Sequence, residues 1–163
     1  MVKTVAGDRK ARGLRFAIVL ACFNEAWGER LLAGALESLR RHGAAETDLL
    51  VVRVPGSFEL PLVAQRLAAT GRYDAVIALG VIIRGETIHD RLVAAEAARG
   101  LGEASRTTGV PITFGVIAAR TKAQVRERCG GRVGNRGAEA ALAALEMARL
   151  FAVLEGGRTR RRR

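Results

Sequence analysis

The chain has 163 residues, 49% of them apolar, and a formal net charge of +11. That length suits one domain with a sizeable core. No apolar run approaches the ~20 residues needed to cross a bilayer. The Lys/Arg-bearing N-terminus lacks the apolar stretch of a secretory signal, so a cytoplasmic protein is expected. The charge sits at the ends: residues 1–13 carry +3 and the arginines of 158–163 carry +5, leaving +3 for 14–155. With Phe, Trp and Tyr at 4% and none among those terminal cations, a base-stacking nucleic-acid platform is not indicated. Incidental nucleic-acid contact through the arginines is the most that the charge implies.

The elements follow in order. Arg15–Ala21 is a short apolar run and reads as a buried strand. Asn24–His42 carries Leu31, Leu32, Ala35, Leu36 and Leu39 at helical spacing and stops at Gly43. Asp48–Val54 is a second strand. Pro55-Gly56-Ser57 is a turn, with Ser57 the candidate N-cap of a helix to Ala69. Tyr73–Val81 is a third strand, broken at Gly85, and Thr87 opens a helix to Thr107. Pro111–Ile117 is a fourth strand. Thr121 opens a short helix to Cys129, a glycine-rich loop follows (Gly130, Gly131, Gly134), and Ala138–Leu154 is the last helix.

Alternating strands and helices predict an α/β fold: a three-layer, doubly wound sandwich on a four-stranded parallel sheet. Its expected layout is a basic arm over 1–13, one domain over 14–155 and a disordered Arg-rich tail over 156–163. Cys22 and Cys129 make neither a disulfide framework nor a metal-ligand spacing, and both read as small buried side chains in a reducing compartment. No metal site and no cofactor are expected.

In such a sheet the turns after the strands share one edge, where ligands bind beside helix N-termini. Phe23 and Asn24 follow strand one, with Trp27 a turn later. Ser57, Phe58 and Glu59 follow strand two. Gly85, Glu86, Thr87 and His89 follow strand three. A helix start favours an anion such as phosphate, and His89 can move a proton near neutral pH. Phe23 could stack on a flat ring, Ser57 could bind hydroxyls, and Gly85 with Arg128 could hold an anion. The structural alternatives are plain: a capping histidine, a rim phenylalanine, a packing tryptophan and an arginine on a solvated face. His42, beside Arg40 and Arg41, reads only as a helix C-terminal cation.

Several blocks in order carry a family resemblance: Phe23-Asn24 then Leu31-Leu32-Ala33-Gly34-Ala35; Val54 to Pro61; Gly80 to Thr87 with His89; Pro111 to Val116; Glu127-Arg128; and Gly134-Asn135-Arg136-Gly137. Over about Phe16 to Leu154 the chain resembles the 6,7-dimethyl-8-ribityllumazine synthases. The resemblance implies a flavodoxin-like fold and a transferase of riboflavin biosynthesis. That reaction condenses 5-amino-6-(D-ribitylamino)uracil with 3,4-dihydroxy-2-butanone 4-phosphate, releasing phosphate and water, with no cofactor.

It also implies His89 as the proton carrier and Phe23 as the ring-stacking residue, with Asn24 and Trp27 nearby. Ser57, Phe58 and Glu59 would hold the ribityl chain. Val81, Ile82 and Ile83 would lie beside the pyrimidine. Gly85, Glu86, Thr87 and Arg128 would bind phosphate. Phe114, Arg128 and Arg136 would come from a neighbouring subunit of a pentamer, or of a 60-subunit icosahedral shell, toward which the short Gly130–Arg136 turn leans.

Against the family pattern stand Asp90-Arg91-Leu92 after His89, Arg120 for an acidic residue, Arg136 for lysine, and Ala138 for an aromatic. These substitutions keep an alternative in view: a weakly active or inactive flavin- or lumazine-binding, cage-forming relative.

Overall fold

The computed structural model describes residues 1–156. The tail expected over 156–163 therefore lies outside the described residues from 157 onward. Strands β1 (Phe16–Ala21), β2 (Leu49–Val54), β3 (Ala75–Ile83) and β4 (Ile112–Ala119) form one parallel sheet in the order β2-β1-β3-β4. The helices are α1 (Glu25–Arg41), α2 (Leu60–Ala69), α3 (His89–Thr108), α4 (Lys122–Arg128) and α5 (Arg136–Leu154). This is the doubly wound, flavodoxin-like α/β arrangement that the strand–helix alternation implies.

The central strands explain their own composition. β1 is buried along its length and β3 from Ala75 to Ile82, because helices cover both faces. Phe16, Ile18, Leu20, Ile77, Leu79 and Val81 point into the layer beneath α1 and α5. Ala17, Val19, Ala21, Val76, Ala78 and Ile82 point into the layer beneath α2 and α3. Large side chains thus dominate one layer and small ones the other. Residues 7–12 run beside α5, where Arg149 donates to the carbonyls of Lys10 (2.6 Å) and Arg12 (2.8 Å) and Arg9 pairs with Glu146.

Where α1 crosses α5, Gly137 lets the backbones meet: a Cβ there would stand 2.0 Å from the Leu31 carbonyl oxygen. Asn135 caps α5, its Oδ1 accepting from the N–H groups of Gly137 (2.9 Å) and Ala138 (3.1 Å). Its Nδ2 donates to the Arg30 carbonyl at 2.9 Å.

Several local expectations change. The cap starts α5 at Arg136 rather than Ala138. The glycine-rich segment forms a small antiparallel hairpin of β5 (Cys129–Gly131) and β6 (Gly134–Asn135). Residues without side chains carry no periodicity, so this pairing leaves no pattern to read. β3 runs on to Ile83, two residues past the expected end. Thr87 precedes α3, which begins at His89; the Thr87 hydroxyl accepts from the His89 N–H at 3.3 Å. Ser57 begins a short 3-10 turn (Ser57–Glu59) before α2 and makes no cap. Cys129 is buried and its thiol pKa is pushed up by that burial, whereas Cys22 is only half-buried.

Candidate active site

The first crossover carries the chain from β1 to β2 on one side, and the later one from β3 to β4 on the other. A crevice opens at the carboxyl ends of β1 and β3, where these directions part. It holds about 620 Å³, a volume suited to a small-molecule ligand.

Each wall comes from one turn or helix. Main-chain bonds extend β1 toward β2 past its end, Cys22 N–H to Val54 O (2.8 Å) and Phe23 N–H to Pro55 O (3.0 Å). They hold the Phe23 backbone while its ring stays 73% exposed at the mouth. Asn24 follows in the left-handed region (φ 63°), the one non-glycine with positive φ among the described residues. Asparagine tolerates that conformation better than most residues. Its Nδ2 donates to the Val81 carbonyl at 2.8 Å and ties the ends of β1 and β3 together across the crevice.

The second wall is the Pro55–Glu59 segment. A Cβ at Gly80 would lie 2.6 Å from Ser57 Oγ, so only glycine on β3 lets this turn settle against the sheet. Ser57 is accordingly buried, while Phe58 stays out at the rim. Val81, Ile82 and Ile83 form the floor. His89, Asp90, Leu92 and Val93 supply the third wall. His89, Leu92 and Val93 stand at i, i+3 and i+4, so they share one face of α3.

The crevice therefore gathers Phe23, Asn24, Ser57, Phe58, Glu59, Val81, Ile82, Ile83 and His89 from the sequence-derived set. Gly85, Glu86 and Thr87 form the exposed turn leading into α3, adjoining it rather than lining it. Four residues stand apart in the single chain. Trp27 packs on the α1/α5 side of the core, with the Arg30 guanidinium 5.1 Å from its ring centre. Phe114 sits on edge strand β4 opposite Ala78, 44% exposed. Arg128 ends α4, donating to the Gln124 carbonyl (3.1 Å). Arg136 opens α5 and pairs with Glu139. Sequence reading missed Asp90, Leu92 and Val93, although the helical spacing from His89 was the available signal for the last two.

The chemistry on offer is polar at one end and apolar at the other. An apolar floor and an exposed aromatic ring suit a flat heterocycle. Glu59 and Ser57 can take hydroxyls, and His89 can exchange a proton. Glu127 pairs with Arg132, which holds its carboxyl below the usual range. Arg128 has no carboxylate within 4 Å among the described residues and keeps guanidinium donors for an anion. No group of three or more His, Cys, Asp or Glu side chains is arranged to hold a metal among the described residues. No described helix is long and apolar enough to cross a membrane.

Comparison with known proteins gives a consistent result. The family model described as 6,7-dimethyl-8-ribityllumazine synthase matches residues 13–152. Proteins of that name from Chlorobium luteolum and Chlorobium phaeobacteroides strain BS1 are each 48% identical over 150 residues, covering 92% of this chain and 97% of theirs. The one from Halorhodospira halophila is 54% identical over 141 residues, 86% of this chain and 90% of its own.

Proposed function

The chain belongs to the 6,7-dimethyl-8-ribityllumazine synthase family, and from that membership we propose that the crevice above β1 and β3 is where its reaction occurs. The protein is a transferase of riboflavin biosynthesis that condenses 5-amino-6-(D-ribitylamino)uracil with 3,4-dihydroxy-2-butanone 4-phosphate. The amine attacks the ketone to give an imine, phosphate leaves by elimination, and ring closure yields the lumazine.

In this reading Phe23 stacks on the pyrimidine, whose edge rests on Val81, Ile82 and Ile83. Ser57, Phe58, Glu59 and Asn24 bound the ribityl arm, with Trp27 behind the turn. The Gly85-Glu86-Thr87 turn and Arg128 hold the phosphate; open amides at a helix start and a guanidinium are a natural anion clamp. His89 carries protons between the reacting nitrogen and oxygen atoms. Little else is needed, because orientation of two substrates can supply much of the rate. The observation that carries the reading is the convergence of nine of these residues on one crevice at the switch point of the sheet.

Phe114, Arg128 and Arg136 reach a crevice in a second copy, in a pentamer or a 60-subunit shell built from pentamers. Two features support this. All three stand away from the crevice of their own chain, and the crevice exposes Phe23, Phe58 and Leu92, a group of apolar side chains unusual on a monomer. Phosphorylated substrates and two unpaired cysteines fit a cytoplasmic enzyme.

Steady-state kinetics of two variants test the roles. His89→Ala is expected to lower kcat by about ten- to a hundredfold with little change in either KM, as loss of a proton carrier does. Arg128→Ala is expected to raise KM for the butanone phosphate by about ten- to a hundredfold, the worth of a charge-assisted hydrogen bond. Undiminished turnover in His89→Ala would remove the proton carrier from the scheme. An unchanged phosphate-substrate KM in Arg128→Ala would remove the clamp.

A further inference from the structure

The turn between β3 and α3 already has a negative group on it. Gly85 N–H donates to Asp90 Oδ1 at 3.4 Å, at the long limit of hydrogen bonding. Nothing about the fold requires glycine at 85: its φ is not positive, and a Cβ there would meet no atom within 4 Å. The effect of the missing side chain is an amide open to its surroundings. Glu86, Thr87 and Ile88 follow with main-chain N–H groups that make no hydrogen bond among the described residues. The turn thus offers a row of donors, and one of them is loosely covered by a carboxylate that also lines the crevice beside His89.

We infer that Asp90 is a specificity-determining residue of this site, an internal carboxylate that occupies the Gly85 amide and must yield it when the phosphate of the second substrate binds. This rests on the reading of the Gly85–Thr87 turn as the phosphate site. A carboxylate and a phosphate both seek the same N–H and repel each other. The 3.4 Å contact is weak enough to be given up without unfolding the helix start. Asp90 therefore weakens the hold on phosphate, and it does so for the phosphate-bearing ketone and for the released inorganic phosphate alike. The uracil substrate, uncharged at this position, is not discriminated against. The enzyme gains easier release of its phosphate product at the cost of a higher KM for one substrate.

The test compares wild type with Asp90→Asn, which keeps shape and acceptor but not charge, with Asp90→Ser as a second neutral variant, and with Asp90→Glu, which keeps the charge. Initial rates give KM for each substrate, and added inorganic phosphate gives its inhibition constant. Both neutral variants are expected to lower the butanone phosphate KM and the phosphate inhibition constant together by about three- to tenfold, the scale of one screened charge pair. The KM for the uracil should not move, and Asp90→Glu should stay close to wild type. A merely structural role would shift both KM values or neither. Unchanged or weaker phosphate binding in both neutral variants, from a wild type that does catalyse the condensation, overturns the inference alone. A wild type that does not accelerate the condensation overturns the functional reading beneath it.

Discussion

A missing methyl group at position 80 sets the depth of the crevice. Ser57 Oγ occupies the space that a Cβ on Gly80 would need, 2.6 Å away. Gly80→Ala should push the Ser57–Glu59 turn off the sheet. The expected result is a several-fold rise in KM for the ribitylaminouracil, with a stability loss of about 1–3 kcal/mol from overpacking. Thermal melts and saturation kinetics on the same preparation check both. What was legible at this scale is position: the residues singled out after β1, β2 and β3 line or adjoin one crevice, whereas Trp27, Phe114, Arg128 and Arg136 stand outside it in the chain. Asn24 is instructive. Its type suggests a ligand contact, yet its amide is already engaged with the Val81 carbonyl, and its left-handed backbone turns the chain sharply after β1. Asp90 stands in the sequence as a departure from the family, and its adjacency to His89 says nothing about the Gly85 amide five residues back.

Among the elements, the start of α5 is a joint between two helices. Asn135 caps its own helix and also bonds the Arg30 carbonyl on α1, and Gly137 lets the two helix backbones touch. Asn135→Ala should cost about 1–2 kcal/mol, near the upper range for a lost cap because the cross-helix bond goes with it. Gly137→Ala should cost more, about 3 kcal/mol, since its Cβ would meet rigid main chain rather than a side chain that can move. Denaturant unfolding of both variants measures this; a Gly137→Ala chain as stable as wild type would contradict the close approach. Strands and helices were legible at this scale, because β1 and β3 are continuous apolar runs and α1 keeps a clean helical period. The β5–β6 hairpin and the early start of α5 were not. Both depend on glycines and on one asparagine whose partners lie in other elements.

For the molecule as a whole, the sheet order decides which turns can meet, and it brings the ends of β1, β2 and β3 together while leaving β4 at the far edge. Phe114 stands on that edge strand and Arg128 on the helix that follows it, both away from the crevice of their own chain. The fold class was legible through the strand–helix alternation and the family through its ordered blocks; the exposure of Phe23, Phe58 and Leu92 was not, because it depends on which turns the sheet order brings together. Sedimentation of the purified chain is expected to give a pentamer or a multiple of it. A monomer at micromolar concentration would contradict a site shared between copies. The most direct measurement of catalysis at the crevice mixes the purified protein with the ribitylaminouracil and the butanone phosphate and follows lumazine formation by absorbance and fluorescence, with the slow uncatalysed condensation run alongside. Clear acceleration over that blank is expected, greatly reduced in His89→Ala. A rate equal to the blank from folded, associated protein would contradict it.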